Sequence, residues 1–321
     1  MKLGVFTPVF GGLDVRAMLA KVCALRHVQA IELGTGCWPG HDHLDLVALL
    51  DNAGAARDYR TMVEDAGLTI SALSCHGNPL HPDPAVAAKA DDVFRRTVRL
   101  AEQLRVAVVV TFSGCPGDAD GARHPNWVTT AWPPEFLDVL DWQWEKKAIP
   151  YWRDAARFAG DHGIKVAIEA HPGFLVYNPE TALRLRSEAG QAIGVNFDPS
   201  HLFWQGVDMP AAIRALGDAI FHVHAKDLAF DDGNRAVNGV IDVKSYTRMA
   251  ERSWLFRSVG WGHGELEWKR IVSALRLVGY DYVVSIEHED ALASIDEGLG
   301  AAVEMLHRVV LTEPPVTPWW T

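Results

Sequence analysis

Carboxylates and imidazoles in this 321-residue chain gather at the ends of short apolar runs. One run ends I-E-A-H-P and supplies Glu169 and His171, and the next ends N-F-D-P-S-H and supplies Asp198 and His201. A third ends H-V-H-A-K-D, with His222, His224, Lys226 and Asp227, and a fourth ends I-E-H-E-D, with Glu287, His288, Glu289 and Asp290. Two earlier runs lead to Glu32 and, in S-C-H-G-N, to His76. An acid at the end of an apolar strand is costly unless it is paired or bound to metal. Carboxylates converging there repel one another without a cation. Hard oxygens with a single nitrogen suit Mn²⁺, Mg²⁺, Co²⁺ or Zn²⁺ and disfavour copper(I) or an iron–sulfur cluster. The plainer alternative, residue by residue, is pairing of these acids with Lys226, Lys165 or arginines. Alternation along a strand gives His222 and His224 the same parity, so it does not separate them.

The elements that must position these groups are legible as eight apolar runs rich in Val and Ile: Leu3–Phe6, Ala30–Leu33, Thr69–Leu73, Ala107–Phe112, Lys165–Glu169, Ile193–Phe197, Ile220–His224 and Tyr282–Ile286. Each is followed by a stretch of helical period, such as Asp91–Leu104 and Ile295–Val309. Runs buried on both faces suit a parallel sheet, and the intervening helices supply its crossovers. Eight such units predict an α/β fold, a single (β/α)8 TIM barrel over residues 1–310 with enlarged loops on its carboxyl-terminal face, followed by an extended tail over 311–321. A doubly wound open sheet is disfavoured by the lack of G-x-G-x-x-G after the first strand. Asp14 is placed to cap the first helix, Pro84 to open a long one, and Gly163 to follow the helix Tyr151–His162. In a barrel the strand ends converge on one mouth, where active sites sit. Two connections on that face are long. One runs from Ser113 to Lys146 with Trp127, Trp132, Trp142 and Trp144, and the other from Leu228 to Trp261 with Trp254. Such loops serve as lids, binding loops or oligomer contacts.

Composition narrows the function further. Hydrophobic residues make up 49% and charged residues 22%, enough for a large core. The net charge of −11 disfavours nucleic acid as a partner. Gly4 and Pro8 interrupt the opening M-K-L-G-V-F-T-P, which does not read as a signal peptide, and no stretch reads as a membrane span. Cys23, Cys37, Cys75 and Cys115 form no C-x-x-C pair and are expected to be reduced thiols in a cytoplasmic protein. No serine elbow, P-loop or zinc-protease motif is visible.

Taken together, I-E-A-H-P, N-F-D-P-S-H, H-V-H-A-K-D, G-W-G-H-G-E-L-E-W and S-I-E-H-E-D resemble the sugar phosphate isomerase/epimerase superfamily of xylose isomerase-like barrels, from the first strand to Val310. The resemblance implies one divalent metal ion, manganese first, with magnesium, cobalt or zinc as alternatives. It implies Glu169, Asp198, His224 and Glu287 as the ligands. Glu169 and Glu287, with His201, would move a proton beside a sugar carbonyl through an enediolate. His76, His171, Lys226 and Trp132 are the expected contacts to a small-molecule sugar. Two departures stand out. The ketose 3-epimerases carry a glutamate six residues after the first ligand and an arginine six after the ligand histidine, where this chain has Leu175 and Phe230. The superfamily also holds lyases, namely inosose dehydratases and the catalytic subunits that cleave 3-keto-glycosides. A homo-oligomer is expected, and a small accessory subunit is among the possible partners. Phosphodiester cleavage, as in the endonuclease IV relatives, calls for a D-x-H that is absent between Leu228 and Trp261. The loop Ser113–Lys146 carries only Arg123 and Lys146 as fixed cations, so an unphosphorylated sugar is expected.

Overall fold

The structure, a computed structural model, describes residues 1–320. Eight parallel strands close into a barrel: β1 (Lys2–Phe6), β2 (Val28–Gly34), β3 (Thr69–Ser74), β4 (Val108–Phe112), β5 (Lys165–Glu169), β6 (Ile193–Phe197), β7 (Ile220–Ala225) and β10 (Val283–Ile286). Strands neighbour one another in chain order, and β1 pairs with β10 to complete the ring. All eight expected strands are present, and the fold is a single (β/α)8 barrel. Their Val- and Ile-rich sequences follow from burial on both faces, the barrel interior within and the helix layer without. Val109, Val166, Ile193 and Val284 are all buried.

Helix boundaries follow the caps. Asp14 accepts from the Ala17 amide and starts the helix Val15–Ala24, and Pro84 opens Pro84–Leu104 behind Asp83. Ser294 caps Ile295–Val309, the helix that leads out of the barrel. Residues 311–320 hold neither helix nor strand, although the Leu311 carbonyl accepts from the Met1 amino group.

The two long connections are more structured than their composition suggests. The first is irregular only to Pro134; a helix over Glu135–Trp142 then runs through a wider turn, Gln143–Ala148, into Ile149–Asp161. Trp144 is buried there beneath the Arg184 guanidinium. The second folds back as an antiparallel pair, β8 (Asp227–Phe230) and β9 (Trp254–Arg257), with a short helix Asp232–Asn238 between them. Both four-residue strands are too short to declare themselves in sequence and exist by pairing with each other. Among the described residues, no helix is long and apolar enough to cross a membrane.

Candidate metal centre

Four side chains meet at the carboxyl ends of four consecutive barrel strands. Glu169 is the last residue of β5, Asp198 follows β6, His224 lies in β7 and Glu287 follows β10. One ligand atom from each lies within 4.8 Å of the other three. His224 Nδ1 is 3.2 Å from Glu169 Oε2 and 3.0 Å from Glu287 Oε2. Asp198 Oδ2, His224 Nδ1 and Glu287 Oε2 are buried yet make no hydrogen bond. These atoms converge on a common centre, with the Lys226 ammonium beside the two oxygens. Buried polar atoms are ordinarily paired, so their convergence is what a cation site requires. Three carboxylate oxygens and one imidazole nitrogen fit Mn²⁺, Mg²⁺, Co²⁺ or Zn²⁺.

The aim of His224 is fixed from behind. Its Nε2 lies 2.9 and 3.0 Å from the two Glu32 oxygens. A carboxylate only accepts, so Nε2 carries the hydrogen and Nδ1 is the atom left for the centre. Glu32 is in turn held by the hydroxyls of Ser74 and Ser285. Burial pushes the Glu32 carboxyl up, but the His224 and His222 imidazoles outweigh it and hold it down to about 2. His222 is one layer deeper in the barrel, bonded to Asn196 and Ser71, and burial lowers it to about 4. The pair of histidines that parity could not separate is thus separated by depth.

Around Glu169 the donors are dense. His76 Nε2 and Asn196 Nδ2 reach its Oε2 at 3.0 and 2.9 Å, and His201 Nε2 is 3.3 Å from Oε1. Burial opposes ionisation of Glu169, yet His76, His201 and His224 hold it well below the usual carboxylate range. Glu287 is likewise held far down against burial, by Lys226 and His224. Burial disfavours charge on His224 and Lys226, but the acids facing them raise both well above their ordinary values. His171 is the opposite case: burial and the neighbouring His201 lower it to about 3, so it is neutral.

Lys226 does not pair with Asp227. Its ammonium contacts Asp198, Glu287 and Glu289 at 3.1, 2.9 and 3.1 Å. Adjacent strand residues point to opposite sides, so Asp227 turns away. It accepts instead from the amides of Gly260, Gly262 and His263 and from the His263 ring. Asp290 binds Arg257 and Ser258.

Above the centre is a cavity of about 360 Å³ lined by Glu169, Glu287, His76, His171 and Lys226, with aromatic walls from Phe6, Trp38, Phe112 and Phe174. His201 lies buried beneath it, its ring 4.0 Å from that of His171. Trp132 is not among the lining residues and is 75% exposed. The tryptophan at the mouth is Trp38, in the C-W-P-G turn after β2. Its place directly past a strand end was the available signal, and the density of tryptophans in the later loop drew the expectation elsewhere. Asn196 was also readable, two residues before Asp198 and therefore of the same parity.

A parallel barrel whose mouth gathers three carboxylates and an imidazole has the architecture of the xylose isomerase-like proteins. The chain belongs to that family, the Xylose isomerase-like TIM barrel, which it matches over residues 27–308. It is 38% identical over 314 residues to the uncharacterized protein YfiH of Bacillus subtilis (strain 168), covering 97% of this chain and 99% of that one. Its fold is similar to that of a probable 3-DHS dehydratase, AsbF, from Bacillus anthracis (TM-score 0.65, 17% identity, 96% and 99% of the two chains). It is also similar to that of a D-tagatose 3-epimerase-like protein (TM-score 0.64, 20% identity, 96% and 97%).

Proposed function

We propose that the protein is a divalent-metal-dependent enzyme that moves a proton on a carbon beside the carbonyl of an unphosphorylated sugar or keto-sugar, giving isomerisation or epimerisation. The observation that carries this reading is the convergence of Asp198 Oδ2, His224 Nδ1 and Glu287 Oε2, none of them hydrogen-bonded, with Glu169 at the floor of the cavity, where the Lys226 ammonium is the one cation facing three carboxylates among the described residues. The bound cation would supply Lewis-acid polarisation of the carbonyl and an adjacent hydroxyl. Glu169 and Glu287 line the cavity from strands three places apart in the ring and are both held ionised, so either is competent as the base. One takes the proton, and the other, or His201, returns it. The Lys226 ammonium sits where it can donate to the oxygen that gains charge. Phe6, Phe112 and Phe174 keep water from the carbanion and offer flat faces to the C–H side of a sugar ring.

A second reading is elimination, in which the same enolate expels a leaving group from the next carbon. It is favoured by Leu175 and Phe230. The first is buried in the fold and the second is stacked under Arg235, so neither brings a polar group to the substrate where the epimerases have glutamate and arginine. Turnover of a keto-sugar panel in D₂O with added Mn²⁺ tests both readings. Deuterium beside the carbonyl with unchanged composition supports the first, and deuterium with loss of water or an aglycone supports the second. Glu169→Gln should abolish either. Turnover without deuterium that also survives Glu169→Gln would sink both.

A further inference from the structure

A second hollow, of about 580 Å³, opens beside the cavity at the metal centre, and the two share Trp38 and Phe174 as a common wall. The smaller cavity is already at the low end of the ~300–1,000 Å³ typical of ligand sites. The larger hollow is therefore room for a second part of the same molecule. Its surfaces are chiefly apolar: Cys37, Val86, Ala90 and Pro125 complete the wall begun by the two aromatic rings. Trp38 is 81% exposed and faces no other ring among the described residues, so its indole is free to stack.

The polar groups of the hollow can be sorted by what they already do. The Asn78 amide is spent, its Nδ2 on the Cys115 carbonyl and its Oδ1 on the Leu80 and Cys115 amides. His81 Nδ1 accepts from the Asp83 amide, which leaves Nε2. Lys89 forms no ion pair among the described residues, although its charge faces Cys37. What remains for a ligand is one ammonium and one imidazole nitrogen at the edge of a flat apolar slot. That is the chemistry of an aromatic ring bearing an acidic oxygen, with stacking from Trp38 and a charge-assisted hydrogen bond from Lys89.

Resting on the function proposed above, we infer that the hollow is an aglycone subsite: the substrate is a keto-glycoside whose oxidised sugar ring lies with its carbonyl at the metal centre and whose aglycone is a phenolic or benzoate-type ring between Trp38 and Lys89. Calorimetry on the full Mn²⁺-loaded protein tests this with four probes: methyl, phenyl and 4-carboxyphenyl glucoside, and cellobiose. The 4-carboxyphenyl glucoside should bind at least about tenfold more tightly than the methyl glucoside, the increment a stacked ring with a charge contact supplies. Val86→Trp, at a helix position 43% exposed, fills the slot without touching the core. It should erase that gain and leave methyl glucoside binding unchanged. Lys89→Gln should erase only the advantage of carboxyphenyl over phenyl. Equal binding of aryl and methyl glucosides, no binding of any of them, cellobiose matching the aryl probes, or a preference that survives Val86→Trp would each overturn the inference. Aryl preference without deuterium exchange would break the proposed chemistry and leave the subsite standing; exchange without aryl preference would do the reverse.

Discussion

The two halves of the barrel carry opposite kinds of polar group. On the β5–β10 side, Glu169, Asp198, His224 and Glu287 present atoms to a shared centre, and three of those atoms lack hydrogen-bond partners. On the β1–β4 side, the one buried acid among the described residues, Glu32, is saturated by His224, Ser74 and Ser285, and apart from His76, which is bonded to Glu169, the mouth is walled by the aromatic rings of Phe6 and Phe112. One half holds its charges ready for something absent from the polypeptide, while the other spends its charge on holding a ring still. The difference teaches that the buried acids of one mouth are not equivalent. Whether an acid is a ligand or a support is decided by how many of its lone pairs are already taken.

The largest effect should come from the unpaired side. Glu287→Gln keeps the shape but removes a charge from the centre, and activity should fall by about 10³-fold or more with loss of bound metal. Metal content by elemental analysis together with kcat checks this, and full activity in a metal-free protein would collapse the contrast. Next comes the support. Glu32→Gln leaves all four ligands in place but loosens His224, so metal affinity should drop by about 10–100-fold while saturating metal restores most of the rate. A loss that excess metal does not rescue would make Glu32 part of the chemistry instead.

The third test uses pH. The Glu32 carboxyl is held at about 2 in the folded protein against an ordinary 4.5, so its ionised form stabilises the fold. That contribution is complete above about 4.5 and is lost as pH falls toward about 2. Urea midpoints measured over that window should fall more steeply in the native protein than in Glu32→Gln, and parallel curves would refute the assignment. The smallest effect is expected at Trp132. Trp132→Ala should leave KM within about twofold, whereas Trp38→Ala should raise it several-fold. The reverse pattern would return the loop after β4 to the role its tryptophans suggested.

The eight strands and the polar mouth were legible because both rest on short-range regularities, while the choice of Glu169, Asp198, His224 and Glu287 within that mouth came from the resemblance of the motifs. Apolar runs bounded by helical period give the strands, and polar residues at run ends give the mouth. Glu32 was visible at a run end for the same reason. Partnership across the barrel was not legible. Nothing local tells that Lys226 reaches Glu289, 63 residues on, while its neighbour Asp227 reaches His263. Nor does sequence tell which imidazole nitrogen faces the centre, since that depends on Glu32 lying 192 residues away. Trp132, outside the cavity lining and 75% exposed, shows a related limit: four tryptophans in one loop are a compositional signal, and composition does not say which way a loop leans.

The Asp227 carboxylate also says something about how this barrel could change over time. With bonds to Gly260, Gly262 and His263, it ties the point where the chain leaves β7 to the point where it returns. The fit is close, since a side chain at Gly262 would land 1.9 Å from the Leu228 carbonyl oxygen. Between these pinned ends, β8 and β9 pair along their whole length, and β9 sets Phe256 against Lys226 and His201. The stretch 231–253 beyond them leans back on that clasp, with Tyr246 stacked on Phe256 and Arg252 buried against Tyr246 and Trp254. Rewriting the outer segment is therefore felt at the mouth through Phe256, so the clasp and what it carries change together or not at all.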